Sequence, residues 1–133
     1  EEDIAEILKA PFSSAISDAT YPGTGLLHPR VTGMTAELLH RFVRERRDLT
    51  LEEAVSRLTL RPAERYGLAG KGRIALGADA DLCLFDPEGF RPVGTYADPR
   101  RAAAGMDWVV VGGRPVLREG RRTGERPGGV LRR

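Results

Sequence analysis

A chain of 133 residues, 41% hydrophobic and 30% charged, is long enough for one folded domain and too apolar to be a disordered tail. No run approaches the roughly 18 apolar residues of a membrane helix, so no membrane partner is expected. The single Cys83 excludes an internal disulfide, and no secretory leader is visible, so a reducing, cytoplasmic compartment is the simplest expectation. The chain does not open on Met, and it is expected to be part of a longer polypeptide.

Net charge is +2, unevenly spread: residues 1–69 carry nine Lys/Arg against eleven Asp/Glu, residues 70–133 twelve against eight. Nucleic-acid binders cluster their positive charge and interleave aromatics. Here Arg41, Arg44, Arg46 and Arg47 are interrupted by Glu45 and Asp48, and the later arginines sit in a Gly-rich tail. A solvated Arg-rich surface is expected, without nucleic acid as partner.

In chain order, Ile4, Ile7 and Leu8 lie at i, i+3 and i+4 behind acidic residues, predicting a helix over Glu1 to Ala10 that Pro11 stops. Phe12 to Ser17 reads as a brief strand ending at Ser17-Asp18. Ala19 to Gly33 contains three glycines and two prolines and reads as a long loop, a setting in which function is common. Thr35 is the expected cap of a helix with apolar Leu38, Leu39, Phe42 and Val43. Thr50-Leu51-Glu52-Glu53 spells a capping box opening a helix that should bury Ala54, Val55 and Leu58. Pro62 to Tyr66 should form a short helix that Gly67 ends.

Past Gly70 the helical spacing disappears. Asp81 to Phe85 alternates like a half-buried strand. Asp107 to Val111 and Arg114 to Arg118, joined by Gly112-Gly113, predict a tight hairpin, with Pro115 at an edge or where no amide donor is needed. The first half is therefore helical and the second sheet, with the boundary near Leu68 to Lys71.

The chemical inventory is thin. His28 and His40 fall in different elements, and without a His-x-His, an HExxH or a Cys pair there is no self-contained zinc site. Gly70-Lys71-Gly72-Arg73 lacks the spacing of a phosphate loop. Cys83, in mid-strand, is expected to be a small buried hydrophobe. Asp18 has two readings: a turn aspartate bonding its own backbone, or a carboxylate exposed at a strand's C-terminal end, where barrel enzymes keep reacting groups. Taken alone, His28 reads as a loop hydrogen-bonder and Arg30 as a surface charge.

Ile16-Ser17-Asp18, His28-Pro29-Arg30, LTLEEAVSRLTLRPAERYGL and GRIALGADADLCLFDP together resemble the C-terminal part of an amidohydrolase-superfamily enzyme. The Ser-Asp, the His-Pro-Arg and the closing RTGERPGGVLRR most resemble the N-acyl-D-amino-acid deacylases, or D-aminoacylases. The likeness runs from Glu1 to Arg133. Its GADADL passage is shared across the superfamily, whereas the His-Pro-Arg loop and the tail are narrower signals.

This resemblance implies an α/β fold: the C-terminal fragment of a (β/α)8 barrel over residues 1–69, then strands of a small β-sandwich over residues 70–133. It implies zinc-dependent hydrolysis of the amide bond of N-acyl, D-configured amino acids. Asp18 would handle the proton of the attacking water beside or in contact with the metal. Arg30 would hold the substrate's carboxylate, and His28 would be a weaker substrate contact. The remaining metal ligands would lie outside this chain, so the fragment alone should be inactive. The partners implied are the small-molecule substrate, the upstream barrel and, as an open point, a second copy of the enzyme. Ala19 departs from the family pattern, where a glycine often follows the aspartate. The Tyr21-to-Leu27 loop also lacks the usual charged and histidine residues and is about one residue longer. These departures bear on the substrate more than on the reaction. Cyclic-amide hydrolysis, deamination and a non-catalytic binding module remain the alternatives, the last if the chain is complete.

Overall fold

A computed structural model of the protein describes residues 2–20 and 25–131. Four helical elements come first: α1 (Glu2–Lys9), α2 (Arg30–Glu37, running on into wider π-type turns over Leu38–Glu45), α3 (Leu51–Leu58) and α4 (Leu60–Arg65). An antiparallel meander follows, with β1 (Leu82–Phe85), β2 (Met106–Val111), β3 (Arg114–Arg118) and β4 (Arg121–Arg122) in sheet order β1-β2-β3-β4. The helix-then-sheet division thus falls where the composition changes. No helix among the described residues is long and apolar enough to cross a membrane.

One core joins the halves. Leu38, Leu39 and Phe42 of the π-type turns, Ala54 of α3 and Ala5 of α1 pack together with Leu49 and with Phe90 from beyond β1. Burying a side chain such as Leu39 is worth roughly 2 kcal/mol, so these contacts hold the sheet's connecting segment against the helices. Arg44 reinforces the join, its guanidinium donating to the carbonyls of Pro87, Glu88 and Phe90.

Several expected elements form. Thr50 Oγ1 accepts from the Glu53 amide at 3.2 Å while Glu53 Oε2 accepts from the Thr50 amide at 2.9 Å, closing the capping box. Gly112 and Gly113 take φ of +55° and +77°, the positive pair a two-residue hairpin needs. Pro115 does not sit on an outer strand: β3 lies between β2 and β4. It is tolerated because the β2–β3 register slips there, pairing Val109 with Leu117 but Val110 with Pro115.

Five expectations are corrected. Phe12 to Ser17 forms no strand, because nothing in the described chain offers it a ladder; its anchor is the Ala15 amide on the Arg57 carbonyl at 3.2 Å. The second helix starts at Arg30, not at Thr35, because Pro29 already has helical angles (φ −57°, ψ −21°). Gly33 sits inside that helix as a packing residue: a Cβ there would lie 3.3 Å from Pro92 Cβ. In α1 the small Ala5 turns to the core while Ile4 and Ile7 stay exposed. Strand β1 is exposed along Leu82, Cys83 and Leu84, so Cys83 is not a buried hydrophobe.

The GADADL passage proves to be a clasp. Lys71 Nζ reaches Asp79 Oδ2 at 3.0 Å and Asp81 Oδ2 at 2.5 Å, while Asp81 Oδ1 accepts from the Gly112 amide at 2.7 Å. The Gly113 amide adds a bond to the Ala80 carbonyl. These contacts pin the connection between helices and sheet to the tip of the β2–β3 hairpin. Gly72 (φ +77°) is needed in this connection, since a Cβ would lie 2.7 Å from the Thr59 carbonyl oxygen.

Candidate active site

The structure brings the three expected site residues together. Asp18 ends the irregular segment after α1 with φ of +46°, a left-handed conformation that aspartate tolerates better than most residues. Arg30, the first residue of α2, turns back to it: its Nη2 lies 3.2 Å from Asp18 Oδ2 and 3.1 Å from the Asp18 carbonyl oxygen. His28 fixes the start of α2, its Nδ1 accepting from the Arg30 amide at 3.0 Å. Nε2 of the same ring lies 2.9 Å from the hydroxyl of Tyr96. Both ring nitrogens are therefore occupied by the chain itself. His28 supports its neighbours here and presents no free nitrogen to a substrate.

Among the described contacts, the Asp18 carboxylate is met by the Arg30 guanidinium and by no backbone amide of its own loop. The Asp18 side chain is 74% exposed and the Arg30 side chain 44%. An ion pair this open to water contributes little to stability, about 0–1 kcal/mol. It keeps two charged groups of opposite sign side by side and open to solvent, which suits binding better than folding. His28, Arg30 and Tyr96 line a hollow of about 760 Å³ whose walls include Ile4, Ile16 and Met34. Residues 21–24, which carry much of the departure from the family's loop pattern, lie outside the described residues, as do Glu1, Arg132 and Arg133.

Tyr96 is the residue the sequence reading missed. It stands 66 residues from Arg30 in a stretch with no recognisable periodicity, and only the packing of that stretch against α2 reveals it. A bond from Thr32 Oγ1 to the Pro99 carbonyl at 2.9 Å holds the two segments together.

A metal set is not assembled from these residues. Among the described residues no three His, Cys, Asp or Glu side chains come together. His40 points elsewhere, its Nε2 against Glu45 at 3.2 Å and its Nδ1 against Arg44. Asp18 offers one oxygen ligand, whereas a catalytic zinc takes three protein ligands. Cys83 is also unsuited to catalysis: the protein atoms around it, in an apolar hollow with Phe85 and Met106, push its thiol pKa up and keep it protonated.

A sequence profile of the amidohydrolase family matches residues 2–117. The chain belongs to that family. An N-acyl-D-glutamate deacylase of Alcaligenes xylosoxydans xylosoxydans is 42% identical over 106 residues, which cover 80% of this chain and 22% of that protein. An N-acyl-D-aspartate deacylase of the same organism is 39% identical over 132 residues, 98% of this chain and 26% of that protein. The crystal structure of the Bordetella bronchiseptica N-acyl-D-glutamate deacylase, complexed with zinc and a phosphonate inhibitor that mimics the tetrahedral intermediate, superposes with a TM-score of 0.82 at 35% identity, covering 91% of this chain and 26% of that one. The chain thus spans about a quarter of the length of these relatives, and the resemblance read from its motifs is to the proteins it in fact matches.

Proposed function

We propose that this chain is the C-terminal part of a zinc-dependent amidohydrolase that cleaves the amide bond of N-acyl-D-amino acids. The observation that carries the reading is the contact of the Arg30 guanidinium, which lines an open hollow, with the exposed Asp18 carboxylate, within a family whose matched relatives include deacylases of acidic D-amino acids. Residues 1–69 would close the barrel, with Phe12 to Ser17 gaining a strand partner from the preceding chain, and residues 70–133 would contribute strands to the β-sandwich. The zinc ligands other than Asp18 would come from the rest of the longer protein.

Within this reading, each residue has a task set by its chemistry. Arg30 presents a planar fork of N–H donors that matches a carboxylate in a way a lysine cannot. It would exchange its contact with Asp18 for the substrate's carboxylate and hold the scissile amide near Asp18. Asp18, its carboxylate open to water beside Arg30, would take up a proton and return it to the departing nitrogen, the work of a general base that then serves as acid. The test is to assay the full-length gene product with N-acetyl-D-amino acids, their L-enantiomers and cyclic amides. Release of free D-amino acid is the expected result. Preference for a cyclic amide or for a substrate without a carboxylate would overturn the reading, because neither needs a guanidinium at Arg30.

A further inference from the structure

The contact between His28 and Tyr96 carries information about where a proton points. The two rings meet edge to face, with centroids 5.2 Å apart and planes at 74°, and Tyr96 Oη lies 2.9 Å from His28 Nε2. On the other side of the imidazole, Nδ1 is met by the Arg30 backbone N–H at 3.0 Å. A backbone amide can only donate, so Nδ1 must hold its lone pair, and the ring's single proton then belongs on Nε2. His28 therefore donates to the Tyr96 oxygen. The tyrosine's own proton must turn away from His28, and among the described residues no acceptor takes it.

Tyr96 is 72% exposed and shares the hollow with Arg30. A hydroxyl whose oxygen already accepts a hydrogen bond is a stronger donor through its remaining proton. One hollow thus carries a neutral donor and a cation on its walls, a combination that suits a carboxylate with two oxygens to satisfy.

We propose that Tyr96 is a second substrate-binding residue, donating to the carboxylate that Arg30 also holds, and that His28 is the positioning residue that sets the direction of its proton. The proposal rests on the deacylase reading above. It explains why both nitrogens of His28 are taken up by the chain, and why a stretch 66 residues beyond Arg30 is strapped against the start of α2.

The experiment uses the full-length enzyme and two substrates, an N-acetyl-D-amino acid and the same compound with its carboxylate converted to a carboxamide. Tyr96→Phe keeps the ring and removes the donor. It is expected to raise KM for the carboxylate substrate roughly ten-fold or more, the loss typical of a hydrogen bond to a charged group, with kcat changed less than about two-fold. The carboxamide should be handled as in the wild type. His28→Leu should reproduce this split, His28→Gln, which keeps an N–H donor near Nε2, should recover most of it, and the double variant Tyr96→Phe/His28→Leu should be no worse than either single one. An unchanged KM in Tyr96→Phe, equal losses on both substrates, or additive losses in the double variant would each overturn the proposal. A wild-type enzyme that cleaves no N-acyl amino acid would overturn the deacylase reading and this inference with it. An active wild type with an indifferent Tyr96→Phe would overturn this inference alone.

Discussion

The Arg30 guanidinium donates to both the carbonyl and the carboxylate of Asp18, so the two residues proposed for substrate binding and for proton transfer hold each other in place across twelve positions of sequence. The pair is open to water, with Arg30 on the wall of the hollow, so releasing the contact costs little. On the proposed reading, a substrate carboxylate entering the hollow would compete for the same N–H donors, and its success would free Asp18.

Replacing Asp18 by Asn in the full-length enzyme keeps the shape and the hydrogen bond to Arg30 but removes the ability to accept a proton. The kcat is expected to fall by roughly 10²–10⁴, the usual contribution of a general acid–base, with metal content retained. Steady-state kinetics and metal analysis of the same preparation check this. A change in kcat below about three-fold would place the proton transfer on another residue.

Arg30→Lys converts a fork of donors into a point charge. For substrates bearing a carboxylate, affinity should fall by about 1–3 kcal/mol, or roughly 5- to 150-fold in KM, while carboxylate-free amides stay nearly unaffected. Comparing KM for the two substrate types decides the matter. Equal losses would mean that Arg30 only secures the start of α2.

Much of this arrangement was legible before any coordinates, and the exceptions have physical causes. The capping box at Thr50 and the hairpin at Gly112-Gly113 are local devices, satisfied within four or five residues, so the sequence spells them out. Asp18 stood out by its place at the head of a long loop, but its two readings could be separated, and His28 and Arg30 singled out at all, only through family motifs. The start of α2 was misplaced because Pro29 and Gly33 usually break helices. Here Pro29 occupies the entry to the helix, and Gly33 gives Pro92 room to approach. Tyr96 and Arg57 were invisible because their roles depend on partners far away in sequence.

Arg57 deserves its own test. It is 1% exposed, and its guanidinium donates to the carbonyls of Leu8, Lys9 and Glu53 and to Ser13 Oγ, while its own carbonyl accepts from the Ala15 amide. It therefore caps the C-terminal end of α1 and anchors the segment that leads to Asp18. Burial, and then the neighbouring Arg61 charge, push its pKa below the ordinary value, against the opposing pull of Glu53. Arg57→Met fills a similar volume but removes the charged donor that the carbonyls of Leu8, Lys9 and Glu53 share. A loss of about 1.5–3 kcal/mol in unfolding free energy is expected, the usual worth of hydrogen bonds to a charged group. Denaturant unfolding of wild type and variant measures it. A loss within about 0.5 kcal/mol, the range of ordinary surface substitutions, would show that water replaces the guanidinium.

The clasp at Asp81 predicts a pH effect. The Lys71 ammonium, first, and the Gly112 amide, second, hold the Asp81 carboxyl below the usual carboxylate range. A folded pKa below the unfolded one means that the stabilisation is fully present above the unfolded value, about 4, and is lost as pH falls through the folded value. Asp81→Asn should lower the thermal midpoint at pH 7 and flatten its decline between about pH 5 and 3. Parallel melting curves for wild type and variant at the two ends of that interval would expose a role for Asp81 that ends at the hairpin contact.

The chain expressed by itself should bind zinc weakly and hydrolyse no N-acyl amino acid. The ligand count argues this directly, since three protein ligands are the usual minimum for catalytic zinc and the described residues bring no three candidate side chains together. Packing argues it independently. Ile4, Ile7, Phe12 and Ile16 are between 51% and 79% exposed, and they flank the segment that carries Asp18. Apolar groups exposed in such number mark a surface that is covered in the functional assembly, so even the one ligand present would not be held as a metal site requires. Equilibrium dialysis against zinc with a chelator wash, run beside an assay for free amino acid, settles both points. Stoichiometric zinc surviving the wash, or measurable turnover, would show that these 133 residues hold a working site by themselves, and the division of labour with an upstream segment would have to be abandoned.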